Sequence, residues 1–480
     1  MAYKHGVGIS EIPTSIVPPA RTSAGLPVVF GTAPVNLARD PAPANKPILC
    51  YSYQEAVEAF GYSANWESYT LCEFIYSHFA LFNVAPVVLV NVLDPTVHKA
   101  EVASEAVALT AKAGKLKELG IMLDTVVIKN EATPYVKDTD YTLAFDKDGY
   151  VVVSVVEGGG ITGETVTATY TKLDPAAVVA SDIIGGIDAN TGAKEGLELI
   201  NEVFPRYRLV PGQILAPGWS HDASVAAVMK AKASNINGHF RAISLEDVPT
   251  DTVKKYSDVA AWKNTNNYTS TYEAVCWPKV KLGEGHFHLS TQLAGVICQT
   301  DSENDDIPYV SPSNKNLQAN GAILEDGTEV ILGPEEAAYL NGQGIVTALN
   351  FIGGWKAWGN RTGCYPAVTD PKDAFIPIRR MFNWIGNTLT LTFWSKIDNP
   401  ANRRLIDTVV DSANIWLNGL AARGFILGGR VEFLQDENPI TDLMDGILRF
   451  HVYATPPSPA REIDFIIEYD PQYLAGLFAA

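Results

Sequence analysis

Pro86-Val87-Val88-Leu89-Val90-Asn91-Val92 is the stretch on which the fold class turns. A continuous apolar run opened by a proline reads as a strand covered on both faces. Just before it, residues 66–82 place Leu71, Ile75, Phe79 and Phe82 on one side of a helix, which Pro86 ends. Further upstream, 52–61 reads as a short helix and 26–31 as a second apolar strand. Strand, helices, strand is the pattern of an α/β layer structure.

Downstream the texture changes. A polar, alanine-rich segment over 96–119 reads as a helix, and 126–129, 141–145, 150–156 and 164–172 as short strands. Asp146-Lys147-Asp148-Gly149 and the glycine-rich 157–163 supply turns, so this region reads as a β domain inserted in a loop. Alternation then returns: helix over 220–234 (Val225, Val228, Met229, Lys232), strand over 239–244, helix over 248–264, extended chain over 272–281, helix over 288–299. The last third is α+β. Pro377 and Pro400 suit the first turns of two helices, with Asn399 as cap for the second. One helix aligns Ile378, Phe382, Ile385, Leu389 and Phe393; the other aligns Leu405, Val409, Ala413, Trp416 and Leu420 and stops at Gly424. Strands are expected over 425–434, 446–453 and 462–469.

Composition narrows the function. Across 480 residues, 54 acidic against 36 basic side chains give a formal charge of −18, which argues against nucleic acid as a direct partner. Cys50, Cys72, Cys276, Cys298 and Cys364 are scattered without CxxC spacing, so no disulfide framework or zinc ribbon is expected and a reducing compartment is favoured. No signal-peptide pattern opens the chain and no apolar run reaches membrane-spanning length, so assembly in the cytoplasm without membrane insertion is expected.

The two ends are the most distinctive features. At one, Ile463, Phe465, Ile467 and Tyr469 alternate with Glu462, Asp464 and Glu468, after the proline-rich leash Ala454-Thr-Pro-Pro-Ser-Pro-Ala460. At the other, Val7-Gly8-Ile9-Ser10-Glu11-Ile12 precedes Pro13, Pro18, Pro19 and Pro27. A strand on a stiff leash suits pairing with another molecule's sheet, and a seven-residue leash reaches ~20 Å, about four strand spacings. Charge agrees: residues 1–25 hold Lys4 and Arg21 against Glu11, whereas 460–480 hold Arg461 against Glu462, Asp464, Glu468 and Asp470.

Patterns that tempt a chemical reading have plainer ones. His286 and His288 lack companions for a metal site. Gly158-Gly159-Gly160 and Gly163 are turn residues without the GK[ST] of a phosphate loop. Gly218-Trp219-Ser220-His221-Asp222 has no GxSxG elbow, and Ser220 or Asp222 reads as a helix cap. Trp355, Trp358 and Arg361 read as packing anchors, within the chain or between copies. No catalytic residue, cofactor or metal is assigned.

Several of these stretches resemble contractile tail sheath proteins of phages. They are Gly6-Val7-Gly8-Ile9 with Pro27-Val28-Val29-Phe30-Gly31-Thr32; Ala168-Thr-Tyr-Thr-Lys-Leu-Asp-Pro175 running to Asp182-Ile-Ile-Gly-Gly186; Tyr309-Val-Ser-Pro-Ser-Asn-Lys315; Trp355-Lys-Ala-Trp-Gly-Asn-Arg-Thr362; and Arg379-Arg380. Their order spans essentially the whole chain.

The resemblance implies a homo-oligomer of six-subunit discs stacked helically around an inner tail tube, meeting baseplate and tail terminator proteins, in a phage tail or a bacteriocin particle. It implies exchange of terminal strands between copies, through Val7, Ile9, Glu11 and Ile12 at one end and Ile463, Phe465, Ile467 and Tyr469 at the other. Arg403, Arg404, Asp407 and Asp411, the charged face of the last helix, become the candidate tube contact. The expected parts are arms at 1–25 and 460–480, a discontinuous α/β core at 26–97 and 196–365, an outward-facing β-rich insertion at 98–195, and a C-terminal α+β domain at 366–459. The rivals are an α/β enzyme, which requires converging catalytic groups, and a phage surface or adhesion protein whose β insertion binds carbohydrate.

Overall fold

Val87–Asn91 is a fully buried strand, one in from the edge, of a nine-stranded sheet in the computed structural model, which describes residues 24–130 and 133–478. From one edge the strands run Lys315–Asn316, Trp355–Trp358, Ile345–Asn350, Glu273–Cys276, Ile243–Asp247, Gln213–Leu215, Pro27–Gly31, Val87–Asn91 and Ile48–Cys50. The six from Ile345–Asn350 to Val87–Asn91 pair in parallel; Ile48–Cys50 closes one flank antiparallel, and Trp355–Trp358 followed by Lys315–Asn316, each antiparallel to its neighbour, closes the other. Parallel strands need crossover helices on both faces, which is why Pro27–Gly31 and Val87–Asn91 are buried at every residue and read as unbroken apolar runs. The covering helices include Tyr53–Phe60, Ala223–Ser234, Tyr256–Thr265 and Leu289–Ser302.

Between the strands Val87–Asn91 and Gln213–Leu215 the chain detours through a β-rich unit with its own core of Val107, Ile128, Tyr141, Val153, Val166 and Tyr170. Here one expected helix fails. Residues 99–108 form a strand, Lys99–Ala108, paired antiparallel with Thr165–Leu173. Alanine's helix preference is worth a few tenths of a kcal/mol per residue, roughly, and a long ladder partner overrides it. Glu105 is buried in that strand and accepts hydrogen bonds from the Tyr170 hydroxyl and the Lys117 amide.

Other boundaries shift for local reasons. The helix expected over 66–82 is α-helical only at Thr70–Ile75 and widens into π turns at Tyr76–Leu81. The helix expected from 248 begins at Tyr256, because Val248–Lys255 forms the loop leaving the carboxyl end of Ile243–Asp247. The stretch 272–281 breaks at Pro278 into Glu273–Cys276 and Lys279–Leu282.

The last third packs helix Ile376–Phe393 against helix Arg403–Ala422 and the hairpin Gly428–Glu432/His451–Thr455. The second helix starts later than expected. Asn402 caps it, with its side chain accepting from the Leu405 amide at 2.9 Å, and Pro400 and Asn399 lie outside. Met381, Trp384 and Ile385 from one helix, Ala413, Leu417 and Leu420 from the other, and Val431 from the hairpin make one core. Two asparagines sew this unit to the large sheet: Asn383 donates to the Ala242 carbonyl at 3.0 Å, and Asn387 bonds both backbone groups of Arg241.

Candidate assembly interface

An isolated two-stranded ribbon is marginal in water, so the hairpin depends on what covers it. One face rests on helix Arg403–Ala422. Its edges differ. At the Gly428–Glu432 edge, Asn414 fills the vacancy: its Nδ2 donates to the Val431 carbonyl at 3.0 Å and its Oδ1 accepts the Val431 amide at 2.8 Å. Since both backbone groups of Val431 point to Asn414, Val431 and Val452 form a non-hydrogen-bonded pair of the ladder. By the same alternation the backbone groups of Val452 and Ala454 point away from the hairpin. Among the described residues nothing pairs with that second edge.

The core beneath this edge is unfinished. Leu389, Phe393, Trp416, Phe450, Val452 and Ala454 are only partly buried. A chain segment with matching chemistry hangs beside it. Residues 456–470 take no ladder partner within the described chain, and Ile463, Phe465, Ile467 and Tyr469 are 71%, 82%, 92% and 74% exposed. Ile466, equally bare, interrupts the strict alternation with the acids. Such bare aliphatic and aromatic side chains in one short segment mark an interaction surface. Val7, Ile9, Glu11 and Ile12 lie outside the described residues.

The charged face of helix Arg403–Ala422 is solvent-facing. Arg403 Nε and Asp407 Oδ1 pair at 2.9 Å with the arginine side chain 83% exposed, and Arg404 and Asp411 are also exposed. Two arginines at the positive pole of a 20-residue helix, with no acid in its first turn, form a pole that favours an anionic neighbour.

The other polar assembly is a crevice of about 1040 Å³ along the carboxyl ends of the parallel strands, where α/β enzymes hold ligands. Its most buried polar groups are engaged with one another. His288 Nδ1 meets Glu73 Oε2 at 2.7 Å. Burial would raise the Glu73 carboxyl, but the charge and hydrogen bond of His288 hold it below its ordinary range. Asp247 accepts from Ser290 and Ser220, and Lys279 pairs with Glu325 at 2.6 Å. Burial pushes the Cys276 thiol well up, away from thiolate. Neither serine is bonded to a histidine, so among the described residues the crevice holds no activated nucleophile. No trio of His, Cys, Asp or Glu there or elsewhere among them is placed to hold a metal. Asp222 does cap its helix, accepting from the Ser224 amide at 2.8 Å, whereas Ser220 serves Asp247. Arg361 lies over the Phe375 and Tyr365 rings at 3.6 and 4.3 Å, so its stacking is internal. The hairpin's vacant edge and Asn414 escaped the sequence reading, because an asparagine inside a helix carries no local sign of a strand partner 17 residues away.

No family model matches the chain. The tail sheath protein of Burkholderia phage BcepMu is 28% identical over 489 residues, covering 99% of this chain and 98% of that one. The tail sheath protein of Escherichia phage P2 is 26% identical over 348 residues, 68% of this chain and 78% of its own. Among solved structures, the PVC sheath of an extracellular contractile injection system in its contracted state superposes with a TM-score of 0.60 at 14% identity, covering 98% of this chain and 99% of that one. The chain is therefore similar over its full length to a phage tail sheath protein and shares its fold, end to end, with a contractile sheath.

Proposed function

We propose that the chain is the polymerising subunit of a contractile tail sheath, built as stacked six-subunit discs around an inner tube that contraction drives through the host envelope. The observation that carries this reading is that, among the described residues of one chain, a hairpin edge has no partner and an apolar segment has no sheet. The C-terminal segment of one copy would pair with the Val452/Ala454 edge of another, closing the core over Phe450, Trp416 and Phe393. The N-terminal arm of a third copy would exchange in the same way.

Each net backbone hydrogen bond contributes about 1 kcal/mol, and each large apolar side chain buried about 1.5–3 kcal/mol, before association costs. Repeated over a lattice, such increments suffice to hold two sheath states without a nucleotide. Residues 1–25 and 460–480 would be the arms, 26–97 with 196–365 the core, 98–195 the outward unit, and 366–459 the tube-facing domain. The exposed pole at Arg403 and Arg404 is the candidate contact with an acidic tube, Asp407 and Asp411 setting its register. Assembly in the cytoplasm, with baseplate and terminator proteins at the two ends, belongs to the same proposal.

Electron microscopy of the purified protein tests it. Striated hollow cylinders are expected, and removal of residues 1–20 should leave folded monomers only. Monomers from the full chain at high concentration, or unaltered cylinders from the truncation, contradict the reading.

A further inference from the structure

The root of the N-terminal arm, Ala24-Gly25-Leu26, is held by three elements at once. The Ala24 carbonyl accepts from Arg380 Nη2 at 3.3 Å, on helix Ile376–Phe393. The Gly25 carbonyl accepts from Gln213 Nε2 at 2.8 Å and Cys298 Sγ at 3.1 Å. The Leu26 carbonyl accepts the amides of Gly212 and Gln213 at 2.9 and 3.0 Å. Arg380 is itself gripped by Asp301 of helix Leu289–Ser302: Nη1 donates to Oδ1 at 3.0 Å and Nη2 to Oδ2, both side chains 3% exposed. A Cβ on Gly212 would lie 2.0 Å from the Ala24 carbonyl oxygen, so only glycine there lets the root approach this closely.

This knot sits at a seam. Ala24 packs on the core shared by the C-terminal helix pair and the hairpin. One residue past Leu26 begins Pro27–Gly31, a strand in the interior of the nine-stranded sheet. A pull on the arm therefore reaches the Arg380–Asp301 knot before it reaches that strand.

Resting on the strand-exchange reading, we propose that Arg380 and Asp301 are positioning residues that lock the arm root to the helix pair carrying the strand-accepting hairpin. The strand a copy gives and the edge on which it receives one then belong to one stiff node, and tension passes from copy to copy through these nodes without peeling the large sheet.

Removing Arg380 alone would strand a buried carboxylate and risk unfolding, so the test replaces both partners with apolar side chains of similar size, R380M/D301L. Three measurements apply to full-length protein: the urea unfolding midpoint, hydrogen exchange of the peptide spanning 22–31 in the monomer, and cylinder length by electron microscopy. The expected result is an unchanged midpoint, exchange at the arm root at least tenfold faster, and cylinders at least severalfold shorter. Unchanged exchange overturns the lock. Faster exchange with cylinders of normal length overturns its role in assembly. A fall in midpoint that accounts for both effects reduces the pair to ordinary stability and also overturns the proposal. If the unsubstituted protein forms no cylinders, the sheath reading and the assembly half fail together, while monomer exchange still decides the lock.

Discussion

At the scale of single residues, polar groups inside apolar surroundings set the properties of this chain. Asn414 occupies one hairpin edge with a donor nitrogen and an acceptor oxygen on one planar amide, matching the backbone pair of a missing strand. Asn414→Ala leaves the Val431 amide and carbonyl without protein partners and should cost about 1–3 kcal/mol in urea unfolding. A loss within error of zero would mean that water serves that edge equally well. Glu246 and Glu273 are diagonal neighbours on adjacent parallel strands, Glu273 lying opposite Ser244, both fully buried, with Lys230 3.3 Å from Glu273. Burial first, and then the charge of Glu273, pushes the Glu246 carboxyl well above the ordinary range. A raised carboxyl contributes stability that is complete below the unfolded-chain value and is lost as pH rises through the folded one. Stability should therefore fall from mildly acid towards alkaline pH, and Glu246→Gln should flatten that slope. Unfolding midpoints at several pH values would reveal an unaltered slope if the pair were inert.

At the scale of elements, the proposed strand exchange would make the hairpin and the C-terminal segment complementary halves of a sheet that the described residues of one chain do not close. Ala454 points its amide away from the ladder, so Ala454→Pro removes no internal bond. Monomer stability should change by less than about 1 kcal/mol while cylinders disappear, because an added strand needs that donor. Phe465→Asp makes the same separation from the other side: the ring is 82% exposed, so the monomer should not register the change, but assembly should. Cylinders of normal length from either variant would direct the search to another edge.

At the scale of the whole molecule, the β-rich unit has a separate core and leaves the sheet through two neighbouring points. The Asp174 amide donates to the His98 carbonyl at 3.0 Å, so the ends of the excursion nearly touch. Replacing residues 99–172 with a short glycine linker should leave the nine-stranded sheet cooperative in thermal unfolding and the cylinders intact, since neither hairpin nor arms are touched. An insoluble product would show that the unit is part of the core's folding.

The primary structure alone determined whatever depends on neighbours along the chain. The apolar runs at Pro27–Gly31 and Val87–Asn91, the helical stripes ending at Phe393 and Leu420, and the break in the ladder at Pro456, Pro457 and Pro459 follow from local periodicity and from prolines that cannot join a ladder, whereas the strand expected over 462–469 takes no ladder partner among the described residues. Tertiary structure alone decided the rest. Lys99–Ala108 became a strand because Thr165–Leu173, far along the chain, supplied its hydrogen bonds. Asn414 sealed one edge of the hairpin and left the other open, and Arg380 met Asp301 and Ala24 across three elements. Buried polar groups take whichever partner the fold brings within 3 Å or so, and no spacing along the sequence encodes that meeting.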